Sequence, residues 1–154
     1  MVGVRFFRDF LKHCQRDLLD DYFYSELVDL TTDADILTRI EAIDALTTIS
    51  DYVDKSMLEQ MDIQATVKDL IENHMNDYRV VLSKAMGRIL FLLSKYNLHT
   101  ELQQQFVETF KNFIDPSQNI EVRRNAAYNL PCFYTTFKDI VTDYDWEDVF
   151  LTFA

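Results

Sequence analysis

The sequence predicts an all-α protein built from repeated pairs of helices. The chain has 154 residues, of which 48% are hydrophobic, and it holds only two glycines and two prolines. Amphipathic segments with the period of a helix recur along it. An all-β chain of this length would need many more turn-forming residues. We therefore expect a single helical body, residues 1–154, around one core.

An arginine marks the start of the same helical pattern three times. Arg39, Arg79 and Arg123 are separated by 40 and 44 residues. Small or apolar residues follow each arginine after three, seven, ten and fourteen positions, steps that stay on one face of a helix. These residues are Ala42, Leu46, Ile49 and Val53, then Leu82, Met86, Ile89 and Leu93, then Ala126, Leu130, Phe133 and Phe137. Each arginine is thus predicted to begin the second helix of a pair.

Another amphipathic segment precedes each arginine and supplies the first helix of the pair. The polar breaks "TTDAD", "NDY" and "DPSQN" join the two helices, and Asp115-Pro116 is the clearest because proline disfavours helix in the residue before it. The predicted helices span 3–14, 17–31, 36–53, 57–75, 78–96, 99–114, 120–137 and 144–152. The repeats then span 17–53, 57–96 and 99–137, with a partial fourth at 139–154.

The third repeat resembles a known family. Its stretch "VRRNAAYNLP" is similar to a motif of the regulatory subunit 4 family of protein phosphatase 4, with matches at Val122, Arg123, Arg124, Asn125, Ala127, Tyr128, Asn129 and Pro131. Two helices per unit of about 40 residues is also the period of HEAT repeats. The resemblance implies an α-α solenoid of HEAT type. Because family members carry more repeats, this chain is expected to be a fragment of a longer array or a shortened paralogue.

The resemblance also implies a function. It points to a non-catalytic scaffold or regulatory subunit, whose partner is the catalytic subunit of a phosphatase 2A-like Ser/Thr phosphatase, with phosphatase 4 favoured. In scaffold relatives, loops joining the two helices of a repeat contact that subunit. Carried over to this chain, the partner-binding residues are Asp33, Asp35, Asn76, Asp77, Tyr78, Gln118 and Asn119. The expected location is the cytoplasm, with the nucleus as the alternative.

The charge distribution favours a protein partner. A net charge of −11 argues against nucleic acid, because proteins that bind phosphates present clustered Lys and Arg. Residues 17–72 hold 15 acidic side chains against three basic ones, a balance of −12. This acidic half has two interpretations, a set of solvated helix faces or a patch that steers a basic partner. The second leaves open an importin-like carrier that binds a basic peptide.

Catalytic, cofactor and metal motifs are missing from the sequence. With Gly3 and Gly87 as the only glycines, no glycine-rich phosphate loop can form in the usual way. Cys14 and Cys132 lie far apart, and the histidines, His13, His74 and His99, lack the spacing of a helical metal site. The most apolar segment contains four basic residues, so no membrane span is expected. We predict neither enzymatic activity nor a cofactor.

Two further sets of residues are assigned structural roles. The arginines Arg39, Arg79 and Arg123 are predicted to form a ladder, each pairing with an acidic group or a helix C-terminal carbonyl of the neighbouring repeat. Pro131 lies inside the predicted helix 120–137, where it removes a backbone donor. Either it bends this helix and so changes the curvature of the solenoid, or the helix stops at Leu130 and restarts.

Overall fold

The structure, a computed structural model, describes residues 21–50, 63–95, 100–139 and 145–152. Within these ranges the regular secondary structure is entirely helical, which confirms the predicted all-α class. The predicted helix at 3–14 lies outside the described residues. The chain divides into two compact units, Met1–Asn76 and Asp77–Ala154.

The first unit contains a helix pair. Helix α1 spans Asp21–Leu30 and helix α2 spans Ile36–Ile49, and the two pack against each other. Leu27 of α1 is buried, and most apolar residues of α2 are buried on more than one side of the helix. In α2 these residues are Ile36, Ile40, Ala42, Ile43, Ala45 and Leu46.

The next helical stretch departs from the predicted map. Helix α3 spans Ile63–Asp69, a π-helical turn spans Leu70–His74, and helix α4 spans Met75–Ser94. The predicted break at residues 76–78 coincides with a kink between two helical segments of α4, where Tyr78 has non-helical dihedral angles, φ −116° and ψ 20°. Residues 72–81 contain neither Gly nor Pro, so every residue keeps its backbone donor and the helix bends instead of ending.

The second unit is built on three long helices. From residue 77 onward it contains the remainder of α4, then α5 at Thr100–Ile114, α6 at Ile120–Phe137 and the short α7 at Trp146–Thr152. Helices α5 and α6 pack together through aromatic rings. Phe133 of α6 stacks on Phe110 of α5 with ring centroids 4.3 Å apart and also lies beside Phe106. Stacked and tilted rings of this kind add to the stability that burial supplies.

The predicted apolar stripes form the core wherever the structure describes them. In α4 and α6 all eight stripe residues are buried: Leu82, Met86, Ile89, Leu93, Ala126, Leu130, Phe133 and Phe137. Ala42 and Leu46 of α2 are buried as well. The helical period therefore predicted the correct buried face.

Helix α6 runs without interruption from Ile120 to Phe137, so the alternative in which it stops at Leu130 is wrong. Pro131 lies on the exposed side with Arg124 and Tyr128. Its missing N–H leaves the carbonyl of Ala127 without its usual intrahelical donor. Because this side faces solvent, water can bond that carbonyl, and the helix tolerates the proline.

No helix among the described residues is long and apolar enough to cross a membrane.

Candidate protein-binding surface

The first predicted partner-binding loop joins α1 to α2 and is shaped by its own acidic side chains. Asp35 caps the amino terminus of α2, where its carboxylate accepts hydrogen bonds from the backbone N–H of Thr38 at 3.2 Å and from its hydroxyl at 2.8 Å. These bonds, led by the one from the hydroxyl, lower the pKa of Asp35. Asp33 accepts a bond from the backbone N–H of Asp35 at 2.7 Å. Both carboxylates therefore hold the loop while carrying negative charge at its surface.

Arg39 ties this loop to the helix that follows in the same unit. Its Nε donates to the backbone carbonyl of Asp33, and its Nη1 lies 3.0 Å from Oδ2 of Asp69 in α3. The Asp69 carboxylate also accepts a bond from Asn73 at 2.8 Å and faces His74 at 3.6 Å. The pKa of Asp69 is lowered, first by the Asn73 bond and then by His74 and Arg39. Asp69 thus joins α3 to the loop between α1 and α2.

The second set of predicted partner residues, Asn76, Asp77 and Tyr78, lies on helix and not in a loop. Asn76 and Asp77 are exposed in the first turn of α4, and Tyr78 is the irregular residue. The prediction assumed a loop here because the segment is polar. A kinked helix still presents Asn76 and Asp77 to solvent, but along a helix surface.

The third loop, between α5 and α6, is held by side-chain hydrogen bonds. Asp115 accepts bonds from the hydroxyl and the backbone N–H of Ser117, which together lower its pKa. Asn119 caps α6 by accepting a bond from the N–H of Glu121 at 2.8 Å. Gln118 donates to Oδ1 of Asn112 at 3.1 Å, so its side chain is oriented before any partner arrives.

Arg79 connects this loop to α4. Its Nη1 donates to Oε1 of Gln118 at 2.8 Å and to Oδ1 of Asn112 at 3.2 Å. Two of the predicted regions, Asp77–Tyr78 and Gln118–Asn119, are therefore brought close together within the second unit. The acceptors are carboxamides, although the ladder prediction expected an acidic group or a helix carbonyl.

Arg123 differs from the other two arginines. It is half-buried near the start of α6, and its Nε atom is buried without a hydrogen-bond partner among the described residues. Its charge contributes to the lowered pKa of Asp115, as the last of the causes. The arginine pattern is thus regular in sequence, but within the part of the chain that the structure describes Arg39 and Arg79 bond a side chain further along, whereas Arg123 does not.

The sequence analysis did not predict a row of hydrogen bonds between α4 and α6, which we call the seam. Asn125 donates to the carbonyl of Val80 at 3.2 Å and to the hydroxyl of Ser83 at 2.9 Å, and Asn129 donates to the carbonyl of Ser83 at 2.7 Å. Cys132 donates to the carbonyl of Gly87 at 3.0 Å. The sequence contained one indication of this seam. Ser83 and Gly87 are both small and lie four residues apart, on one face of α4, which permits close approach of a neighbouring helix.

This seam gives several residues of the "VRRNAAYNLP" motif a structural role. Val122 is buried in the core, and Asn125 and Asn129 bond the backbone of α4. Tyr128, by contrast, is 84% exposed, and Arg124 and Pro131 are exposed beside it. The motif therefore combines residues that fix the packing of α6 with residues that it presents to solvent.

The titratable side chains among the described residues can be compared with the needs of a catalytic site. No group of three or more His, Cys, Asp or Glu within them could hold a metal ion. The pKa of the Cys132 thiol is raised by burial, which opposes the thiolate that a nucleophile needs. The perturbed carboxylates, Asp35, Asp69 and Asp115, all have a lowered pKa, so they remain ionised and are poor proton donors at neutral pH.

The fold and the surface together define an all-helical chain with polar loops held in place by arginine and carboxylate bonds. No protein family, curated protein or solved structure matches the chain.

Proposed function

We propose that this chain is a non-catalytic, protein-binding solenoid of HEAT type that acts as a scaffold or regulatory subunit of a phosphatase 4-like or phosphatase 2A-like Ser/Thr phosphatase. The observation that supports it best is the Arg79 bond to Gln118, 39 residues further along the chain. One helix pair earlier, Arg39 bonds Asp69, 30 residues on. A helix-opening arginine that bonds the following helices is consistent with stacked repeats, in which each repeat contacts its neighbours.

The loop geometry supports binding through the helix-joining segments. Asp33 and Asp35, and likewise Gln118 and Asn119, are ordered by bonds within their own loops. Ordering before binding lowers the entropy cost of association. The choice of a phosphatase as the partner rests on the motif resemblance at residues 122–131.

The decisive experiment measures binding of the purified chain to purified catalytic subunits of phosphatases 4 and 2A by surface plasmon resonance. The informative variant is Asp33→Asn/Asp35→Asn, because each Asp accepts its loop bonds through one oxygen, and Asn keeps one acceptor oxygen while it removes the charge. The matched control is Glu26→Gln/Asp29→Asn, which removes two charges from exposed positions of α1. We expect the loop variant to slow association by about threefold more than the control, with less effect at high salt.

Three results would contradict this proposal. The parent chain could bind neither subunit, the loop variant and the control could behave identically, or the loop variant could act only on dissociation regardless of salt. The last outcome would point to short-range contacts instead of charge steering. Release of product from phosphoester or peptide substrates by the chain alone would contradict the non-catalytic part.

A second candidate function follows from the acidic half. Glu26, Asp29, Asp35 and Glu72 are exposed in the first unit, which suits a carrier that holds a basic peptide, as importin-like adaptors do. Adding a Lys/Arg-rich peptide separates the two proposals. If that peptide binds with a strong salt dependence and the phosphatase subunits do not bind, the carrier is favoured.

A further inference from the structure

Helices α4 and α6 present a second surface that the loop proposal does not use. Six side chains define it, and we call it the basic face: Lys84, Arg88, Phe91 and Lys95 of α4 or just after it, with Arg124 and Tyr128 of α6. Five of the six are exposed and Lys95 is half-exposed. Phe91 is 50% exposed and Tyr128 is 84% exposed, unusually high values for large aromatic rings.

The seam between the helices places these residues on one side. Ser83 is hydrogen-bonded to Asn125, and Gly87 is hydrogen-bonded to Cys132. The numbers of the bonded residues increase together along the two helices, so α4 and α6 run parallel. Lys84 and Arg88 each follow a seam residue of α4.

Arg124 and Tyr128 each precede a seam residue of α6. Successive residues rotate in the same sense around both helices. In two parallel right-handed helices that face each other, the residue after a contact residue on one helix and the residue before a contact residue on the other therefore point to the same side. The opposite side carries the buried stripe, with Met86 and Leu130 among its residues. The six side chains therefore form one continuous face.

The face is positively charged in an acidic protein. It carries four cations and no carboxylate, whereas the whole chain has a net charge of −11. The nearest acidic positions in the same helix rows are Asp77, seven residues before Lys84, and Glu121, three residues before Arg124, so one carboxylate borders the α6 end of the face. At physiological ionic strength, charges beyond about 8 Å are largely screened, so local charge governs what this face attracts.

A cavity opens where the face reaches the carboxyl ends of the helices. It has a volume of about 380 Å³ and is lined by Phe91, Ser94, Gln103, Cys132, Thr135, Thr136 and Phe137. This volume lies at the lower end of ligand-site volumes, about 300–1,000 Å³, and the lining mixes aromatic with hydroxyl groups. Lys95 lies over the Phe91 ring at 4.6 Å from its centroid, so a cation stands at the rim.

We propose that the basic face binds an acidic peptide segment of a protein partner, and that the cavity accepts one aromatic side chain of this segment. An acidic peptide is the expected ligand because its negative charge complements the positive charge of the face. Its carboxylates would bond Arg88 and Arg124, whose planar guanidinium groups favour bidentate pairing. The exposed rings of Phe91 and Tyr128 provide apolar contact between the charges. This proposal does not depend on the phosphatase assignment, because it uses neither loop.

The test is fluorescence anisotropy with a short labelled peptide rich in Glu and carrying one central Phe. We expect Lys84→Glu/Arg88→Glu to weaken binding by at least about tenfold, and raising salt to weaken binding to the parent. The matched control is Lys68→Glu/Lys111→Glu, which reverses two charges in exposed ion pairs elsewhere and should leave the affinity unchanged. Circular dichroism confirms that each variant is folded.

The cavity is tested separately by changing both partners. Replacing the peptide Phe by Ala should weaken binding to the parent by about tenfold, since a buried aromatic anchor is lost. Thr135→Trp fills the cavity at an exposed rim position and should make the Phe and Ala peptides bind equally. A Phe preference that survives in Thr135→Trp would overturn the cavity assignment.

Three outcomes would overturn the proposal as a whole. The charge-reversed variant and its control could bind the acidic peptide equally. A single-stranded oligonucleotide of equal charge could bind more tightly than the peptide, which would identify a nucleic-acid surface. Sedimentation could show self-association that Lys84→Glu/Arg88→Glu abolishes while the peptide fails to bind, which would make a second copy the occupant.

Discussion

Asn129 donates a hydrogen bond to the carbonyl of Ser83 at 2.7 Å, and its side chain occupies the space that a side chain at Gly87 would need. A Cβ at position 87 would lie 2.7 Å from Cγ of Asn129, well inside van der Waals contact. Asn129 is buried, so its carboxamide requires a partner, and the close approach of α4 supplies one. The glycine is therefore a packing requirement of the α4–α6 seam.

The first prediction concerns this glycine. In an isolated helix Gly→Ala stabilises by about 1 kcal/mol, yet here Gly87→Ala should destabilise by about 1–3 kcal/mol because the new methyl group overlaps Asn129. Urea denaturation of the parent and the variant measures the difference. The double variant Gly87→Ala/Asn129→Ala should lose less stability than the sum of the single changes, since truncating Asn129 removes the two atoms that overlap most and leaves only its Cβ, 3.0 Å away. A Gly87→Ala protein more stable than the parent would contradict this account.

The second prediction ranks the three arginines. Arg79→Ala should cost about 1–2 kcal/mol because it breaks bonds to Gln118 and Asn112, and Arg39→Ala should cost a similar or smaller amount. Arg123→Ala should cost least, because the Nε atom it removes has no hydrogen-bond partner among the described residues. Exposed Arg124→Ala is the control. Equal, negligible melting shifts for the three arginine variants would refute a ladder role.

The third prediction concerns how the contribution of Asp69 to the stability of the fold depends on pH. Its pKa is lowered in the folded protein, so the ionised carboxylate stabilises the fold above the unfolded-state pKa of about 3.9, and this contribution disappears as pH falls through the folded-state value. Asp69→Asn keeps an acceptor oxygen but removes the charge. At pH 7 it should be less stable than the parent.

Thermal melts of both proteins from pH 7 downward measure this difference. The gap between parent and Asp69→Asn should close in the acidic range below about pH 4, where the parent carboxylate protonates. A gap that is constant over the whole range would mean that shape, and not charge, explains the effect of the substitution.

The fourth prediction concerns Pro131. Pro131→Ala restores a donor for the carbonyl of Ala127, so it should raise the stability of α6 by about 1 kcal/mol or more. If the proline sets a curvature that function requires, the variant should melt at the same or a higher temperature yet bind its phosphatase partner more weakly. Gln104→Ala, an exposed change in α5, is the control. A variant structure that superposes on the parent through residues 120–137, with unchanged affinity, would refute the curvature role.

The all-helical class and the buried faces could be predicted from residue order alone. Helix α6 was predicted at 120–137 and begins and ends at those residues, because Asn119 supplies a cap at one end and the apolar stripe persists to the other. Helix α5 was predicted at 99–114; the structure shows helix over Thr100–Ile114, and residue 99 lies outside the described residues. Periodicity and caps are local properties, and the sequence contains them in full.

Less of the candidate binding surface could be predicted from the sequence. Residues 76–78 read as a loop because they are polar, but polarity alone does not end a helix that keeps all its backbone donors. The loops around Asp35 and Gln118 were placed correctly since their neighbours include turn and cap residues. Which groups bond Arg79 and Arg123 depends on residues 30 or more positions away, so no local pattern reveals it.

Local sequence thus decided which residues are buried, where most helices begin and which face of each is polar. Tertiary structure alone decided that Gly87 must be small, that Asn125 and Asn129 bond a neighbouring helix, and that Arg88 and Tyr128 share one face. The physical reason is that helical periodicity depends on spacing along the chain, whereas a seam depends on the register of two helices about 45 residues apart in sequence, and register is set by packing.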